Sequence, residues 1–364
     1  MEITLPVSIG EALDKLTILD IKIEKISDER KNDCEKEFAV LDSSLKQYRE
    51  RYSYFYKLLR EINLEIWNLQ DRFHGKELSS EEAGKICKQI LEENDRRFRV
   101  KAKLNTICSS NLREQKGYAK KRAFVYTHLG LGDMFWMNGA VRYLSTCYDE
   151  ILLVCKEKYR NNVSLMYSDD PTIKLFCLPG EQLLPPFPAA TWYKKDEEIM
   201  MYACGYHIPN PRIYEFPFCF YDDMNLPREF QKKYFHIPTL PEANQLYKQF
   251  ENTPYILIHQ QSQNKRIPLW EKLNHEQPET LLLDLNENHY PPEHKFYELA
   301  QRVLNIPLLH YKTLMENAKE IHMIESSIYC MASHLDLSKV SKKLCYEAFD
   351  NSNLRMGVFE TGIL

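Results

Sequence analysis

The chain has 364 residues, with 48 Lys and Arg against 52 Asp and Glu and a formal net charge of -4. That length allows two or three domains and more than one buried core, and the balanced charge gives no reason to expect a nucleic-acid partner. No run approaches the roughly 18 uncharged apolar residues of a membrane span, the first residues lack a signal-peptide pattern, and ten cysteines without Cys-x-x-Cys or zinc-type spacing read as buried thiols of a reducing compartment. The expectation is a soluble, cytoplasmic protein.

The first third reads as helical. Ser8 followed by Glu11 is the pattern of a capping box, and Leu13, Leu16, Ile18, Leu19, Ile21, Ile23 and Ile26 supply a broad apolar face. Charged residues continue to Glu37, and apolar ones recur at Phe38, Leu41 and Leu45. A second helix is predicted from Tyr52 to Phe73 and broken by His74-Gly75. Ser79 or Ser80 starts a third, through Ala83, Ile86 and Ile90 toward Leu104. This predicts a helical hairpin plus a further helix over residues 1–115. Without a glycine-rich loop or clustered metal ligands, its role is packing, partner docking or homodimer formation.

Near Arg122 the pattern changes to short apolar runs alternating with helical segments, as in α/β domains. Strands are predicted at 123–127, Ile151–Cys155, Val163–Tyr167 and Ile173–Leu178, with a helix from Met134 to Leu144. A Pro-rich connection from Pro179 through Pro185, Pro186 and Pro188 follows, then an irregular stretch from Pro209 to Pro227 and a helix from Leu240 to Thr253. Further strands are predicted at Tyr255–His259, Thr280–Leu285, Ile321–Ile324 and Lys343–Tyr346, with helices at Phe296–Leu304 and Ile328–Leu335. Two Rossmann-like halves, 116–240 and 241–364, are therefore expected, and a ligand cleft with them.

Three clusters could carry chemistry. In Tyr126-Thr-His-Leu-Gly-Leu-Gly-Asp-Met134, a strand meets a helix through Gly130 and Gly132, which would let the backbone turn sharply and approach a ligand. Asp133 is then either a helix cap or a general base within reach of a substrate hydroxyl. His128 either bonds a sugar or phosphate or is a buried structural histidine. Along the next helix Asn138-Gly139 reads as packing, while Arg142 either reaches a pyrophosphate or faces solvent. The second cluster, Ile324-Glu325-Ser326-Ser327-Ile328, places hydroxyls and free backbone N–H groups at a helix start, suited to phosphate or to a plain serine cap. Glu325 would accept hydrogen bonds from sugar hydroxyls. In the third, a polar loop from Gln260 to Arg266 follows the strand ending at His259. There Lys265 or Arg266 is either a cation for a leaving diphosphate or a surface charge. Asn286, Glu287, Asn288 and His289 are weaker nucleotide contacts.

The glycine turn with its Asp133 resembles the N-terminal signature of heptosyltransferase-like glycosyltransferases with the GT-B fold. That resemblance, over about 122–350, implies that Asp133 is the catalytic base and that Glu325, Ser326 and Ser327 contact the donor diphosphate. The segment Leu314-Met-Glu-Asn-Ala-Lys-Glu-Ile-His-Met-Ile-Glu-Ser-Ser327 is similar to the corresponding helix–strand–loop unit, with Glu325-Ser326-Ser327 in place of the family's Asp-Thr/Ser-Gly. It implies a GT-B-like pair of Rossmann-like domains, a nucleotide-sugar donor, a glycan or other hydroxyl acceptor, and no cofactor. Val7-Ser8-Ile9-Gly10-Glu11-Ala12-Leu13-Asp14-Lys15-Leu16-Thr17-Ile18-Leu19 also resembles an uncharacterised small helical domain of bacterial sugar-polymer gene neighbourhoods.

No Asp-x-Asp motif follows an early strand, and Asp169-Asp170 and Asp222-Asp223 read as loops, so metal-independent transfer is expected. The rival readings are a nucleotide-sugar hydrolase or epimerase, and a glycan- or nucleotide-binding assembly protein without turnover. A nicotinamide dehydrogenase fits less well, because the Gly130-Leu-Gly132 turn lacks the third glycine of the dinucleotide fingerprint.

Overall fold

A computed structural model describes residues 5–75, 77–117, 119–127, 130–179, 199–204, 218–262, 265–346 and 358–362 of the chain. His128, Pro185, Pro186, Pro188 and the start of the irregular stretch at Pro209 lie outside them. The chain divides into two compact units, Met1–Ala123 with Tyr143–Ile151 and Asp169–Lys174, and Phe124–Arg142 with Leu152–Ser168 and Leu175–Leu364.

The helical stretch consists of α1 (Ile9–Lys25), α2 (Arg30–Arg51), α3 (Ser53–His74) and α4 (Ser80–Ile107). Ser8 caps α1 by accepting from the Glu11 N–H, and Ser79 forms a reciprocal capping box with Glu82 on α4. The expected break at His74-Gly75 is present, but so is one that apolar spacing did not reveal. Ile26 is extended, and the Asp28 carboxylate then accepts from the Arg30 N–H and guanidinium to restart the helix. Leu13, Leu16 and Leu19 of α1, Leu58, Leu59 and Ile62 of α3, and Val100 and Leu104 of α4 are buried, whereas α2 buries only Leu45.

Polar groups fix how these helices meet. A Cβ at Gly10 would lie 2.6 Å from the Lys101 carbonyl oxygen, so only glycine allows α1 this close to α4. The Gly10 N–H donates to Asn105 Oδ1 at 2.7 Å. Asn63 of α3 donates to Asp14 Oδ1 at 2.8 Å and to Thr17 Oγ1 at 2.9 Å.

The α/β part follows as β1 (Arg122–Thr127), α5 (Leu131–Trp136), α6 (Asn138–Cys147), β2 (Glu150–Lys156), α7 (Arg160–Met166), β3 (Ile173–Leu178), β4 (Ile199–Cys204), α8 (Cys219–Asp223), α9 (Phe230–Lys233) and α10 (Pro241–Lys248). It continues with β5 (Tyr255–His259), α11 (Leu269–Glu276), β6 (Leu281–Asp284), α12 (Tyr297–Gln301), α13 (Lys312–Glu316), β7 (Glu320–Ile324), α14 (Ser327–Ala332), β8 (Lys342–Tyr346) and β9 (Glu360–Gly362). One sheet has the order β3-β2-β1-β4, the other β6-β5-β7-β8-β9. In the second sheet every pairing is parallel, with Ile256 opposite Leu282 and Glu320, and Glu320 opposite Lys342. Strands β5, β6 and β7 are buried along their whole length, as expected for parallel strands covered on both faces. A helical stretch followed by two parallel sheets flanked by helices is the GT-B-like α/β class expected from the sequence.

Three local expectations need correction. Val163–Tyr167 is not a strand: Val163 and Met166, both fully buried, lie three residues apart on one face of α7. The helix from Met134 is two helices, because the backbone at Met137 turns to φ -86°, ψ -1°. Beyond it Gly139 packs against the Phe230 carbonyl, where a Cβ would lie at 2.4 Å. Strands β4 and β9, which the sequence reading did not predict, complete the sheets.

In the first unit, Lys103 of α4 is buried and donates to Asp170 Oδ2 and Ser145 Oγ, both at 2.7 Å. Ser145 donates in turn to Asp170 Oδ2 at 2.9 Å, and Asp170 Oδ1 accepts from the Thr172 N–H and hydroxyl. Removing one member leaves a buried, uncompensated charge, which costs about 3–5 kcal/mol. We therefore expect Lys103→Ala to lower the free energy of unfolding by that amount in urea titrations. Lys103→Met combined with Asp170→Leu should cost clearly less.

Candidate functional site

Five strand ends and their following turns line one cavity of about 610 Å³, and all its lining residues belong to the second compact unit. Gly130, Leu131 and Gly132 follow β1, and Tyr159 follows β2. His259 ends β5 with Gln261 and Ser262 after it, Asn286 follows β6, and Glu325, Ser326 and Ser327 follow β7. Open α/β sheets bind ligands outside the carboxyl ends of their strands, because side chains and backbone N–H groups converge there.

The glycine turn is built differently from the expectation. Gly130 is extended (φ -88°, ψ -174°), which any residue adopts, and a Cβ there would meet only ordinary contacts. Gly132 is the more tightly packed one. Its Cβ would lie 3.0 Å from Cys330 Sγ and 3.7 Å from Ser327 Cα, so glycine brings α5 and α14 together. Asp133 is the third residue of α5, and its Oδ2 accepts the Gly130 N–H at 2.6 Å, closing the helix end as in a capping box. Burial raises its carboxyl to about 6, opposed by that hydrogen bond. Asp133 is thus engaged as a cap and is absent from the described lining, although Gly130, its partner, lines the cavity.

Across the cavity Ser326 caps α14 by accepting the Tyr329 N–H at 3.3 Å, and its Oγ lies 3.3 Å from His259 Nδ1. Burial lowers the His259 pKa to about 4, so the ring is neutral at physiological pH. Asn286 Oδ1 accepts the N–H groups of Gln260 and Gln261, which fixes the turn after β5 against the one after β6.

The structure brings Gly130, Gly132, His259, Glu325, Ser326 and Ser327 together. Lys265 and Arg266 are not among the described lining residues, and the Arg266 guanidinium is ion-paired with Glu287. Arg142 neither reaches the cavity lining nor faces solvent. It is buried, donates to the Met166 and His236 carbonyls at 2.8 and 3.1 Å, and stacks over Tyr167. Tyr159 was missed because the segment after it was read as a strand. Its position just past the end of β2 was the available signal. Asp284, Glu287 and His289 bring potential metal-ligand atoms within 4.8 Å of one another. Those groups already bond other side chains: His289 Nε2 lies 2.7 Å from Asp284 Oδ2, which also accepts from Gln260, and Glu287 pairs with Arg266.

No family model matches the chain, and no curated protein matches it. Among solved structures it is similar to the dodecameric iron-containing heptosyltransferase TibC in complex with ADP-D-β-D-heptose, at 12% identity and a TM-score of 0.40. That alignment covers 66% of this chain and spans only 62% of the other. The bacterial iron-containing dodecameric glycosyltransferase TibC from enterotoxigenic E. coli H10407 gives 14% identity, a TM-score of 0.36 and the same coverages. A family 9 glycosyl transferase from Veillonella parvula gives 12% identity and a TM-score of 0.37, covering 62% of this chain and 80% of that one. Among the described residues no helix is long and apolar enough to cross a membrane.

Two outcomes follow from this geometry. Gly132→Ala should destabilise the fold by about 1–2 kcal/mol through overpacking, and Cys330→Ala in the same chain should recover much of that loss in thermal melts. Asp133 is protonated in the folded protein below pH about 6 but in the unfolded chain only below about 4. Its contribution is therefore fully stabilising below about pH 4 and is lost as pH rises through about 6. Asp133→Asn should accordingly stabilise the protein above pH 6, on the order of 2 kcal/mol, with no gain near pH 4.

Proposed function

We propose that this protein is a glycosyltransferase that moves a sugar from a nucleotide-sugar donor to a hydroxyl of a glycan or other acceptor. The observation that carries the proposal is the single cavity outside the carboxyl ends of β1, β2, β5, β6 and β7. It combines a glycine-edged helix start on one side with a neutral histidine and two serine hydroxyls on the other. The likeness to heptosyltransferase structures motivates the choice of chemistry, and the residues give it roles.

In this reading residues 241–364 form the donor domain, residues 116–240 the acceptor domain, and residues 1–115 the helical interaction domain. Ser326, Ser327 and His259 hold the diphosphate by neutral hydrogen bonds, with Lys265 or Arg266 supplying positive charge as the leaving group forms. Glu325 accepts from sugar or ribose hydroxyls. Asp133 takes the proton of the acceptor hydroxyl while its oxygen attacks the anomeric carbon and the bond to the diphosphate breaks. A carboxyl near pKa 6 is a better match to a proton taken at neutral pH than an ordinary aspartate. One direct displacement inverts the anomeric configuration, and no metal is needed in this scheme.

The cap formed by Asp133 on Gly130 favours a second reading, a nucleotide- or glycan-binding protein without turnover. In that case the carboxylate serves the helix end alone. Release of nucleoside diphosphate from a panel of nucleotide-sugars, with and without mixed acceptors and in the presence of a chelator, separates the two. For the transferase we expect acceptor-dependent release that survives chelation, falls by two or more orders of magnitude in Asp133→Asn, and rises with pH up to about 6 before levelling. Equal release without acceptor would indicate hydrolysis. Nucleotide binding that is unchanged in Asp133→Asn, with no turnover in either protein, would establish the binding role instead.

A further inference from the structure

Cys155 on β2 and Cys177 on β3 bring their sulfurs to 3.4 Å, although the sequence spacing of 22 residues gives no hint of a pair. The two strands are neighbours in the sheet, and β3 is its edge strand. Cys155 is buried and Cys177 half-buried. An S–S bond of about 2.05 Å requires the sulfurs to close by roughly 1.3 Å. An edge strand with a single neighbour can yield by that distance without unpairing a second strand.

We propose that Cys155 and Cys177 are a modification site, a dithiol that a low-molecular-weight disulfide of the glutathione type converts reversibly to a cross-strand disulfide. Cys177, the more accessible sulfur, attacks one sulfur of the small disulfide as its thiolate, forming a mixed disulfide and expelling the first small thiolate. Cys155 then loses its proton, attacks Cys177 Sγ, and expels the second. Two protein thiols are oxidised to one disulfide, the reagent is reduced to two thiols, and the protein's two protons end on those thiols.

The surroundings fit such a pair. The Arg160 guanidinium, paired with Glu157, lies within electrostatic reach of both sulfurs. Burial and the neighbouring Cys177 push the Cys155 thiol up to about 12, which makes closure slow and protects the pair from casual oxidation. The site also adjoins the cavity along the chain. Four residues after Cys155, through Lys156 and the single turn Glu157–Tyr159, Tyr159 reaches the lining. Closing the pair tethers the strand that carries this residue.

The test is thiol mapping of the full-length protein equilibrated in graded mixtures of reduced and oxidised glutathione, alkylated, digested and analysed by mass. We expect loss of the separately alkylated Cys155 and Cys177 peptides and gain of one peptide pair joined through them, reversed by excess reduced glutathione. Exposed Cys87 should carry at most a glutathione adduct. In Cys177→Ser, checked for an unchanged melting profile, the linked pair should vanish and Cys155 should stay free. Recovery of both thiols as separate alkylated peptides at every ratio would overturn the proposal. A stable glutathione adduct on Cys177 that Cys155 never displaces would do the same. The wild-type mapping decides the question even if the variant misfolds.

Discussion

A buried ammonium group sets the terms for the first compact unit. Lys103 projects from α4 into a dry environment, where an unpaired charge costs several kcal/mol, and Asp170 and Ser145 answer that demand within hydrogen-bond distance. Asp170 also holds the Thr172 N–H and hydroxyl, and the Thr172 carbonyl accepts the Ile151 N–H beside it. One charge pair therefore relates the last long helix to the C-terminal part of α6 and to the starts of β2 and β3. Arg99 bonded to Asp149, and Arg96 bonded to Thr146, add polar ties along the same face of α4. The strands that follow inherit their starting points from this cluster.

The cavity lies at the far end of β2, together with the ends of β1, β5, β6 and β7. Its construction separates two tasks that a glycine-rich turn often combines. Gly132 permits close packing of α5 on α14, while Gly130 leaves open backbone at the lining and donates its N–H to Asp133. On the opposite wall His259 holds no charge at physiological pH and Ser326 already satisfies the start of α14, with the carboxylate of Glu325 next to it in the chain. A negatively charged ligand there would meet hydrogen-bond donors before it met a full positive charge.

Much of this frame was legible in the sequence because parallel strands buried on both faces leave continuous apolar runs, as at Tyr255–His259 and Ile321–Ile324. The turn residues after such runs were equally visible, and Gly130, Gly132, His259, Asn286, Glu325, Ser326 and Ser327, all singled out there, line the cavity. The helix at Arg160–Met166 was misread because Val163, Leu165 and Tyr167 alternate like a strand, although Val163 and Met166 carry the burial. That misreading hid Tyr159, although the strand before it was expected to end at Cys155, next to its actual end at Lys156. Pairings distant in sequence left no trace: Lys103 looks like any helix lysine, Asp170 like half of a loop dyad, and Arg142 like a candidate ligand rather than a buried clamp on two carbonyls. Gly132 announced flexibility, whereas its use is closeness, which depends on Cys330 arriving from 198 positions later in the chain.

The start of the helical stretch, from Ser8 to Thr17, points many of its residues inward. Ser8, Gly10, Leu13, Asp14, Leu16 and Thr17 are all buried, and Asn63 and Asn105 read the polar ones like wards in a lock. Residues placed in this way record how a bundle closes on itself and are silent about what it touches. Whatever meets this bundle from outside would meet its polar outer faces, above all α2, which gives up a single leucine to the interior.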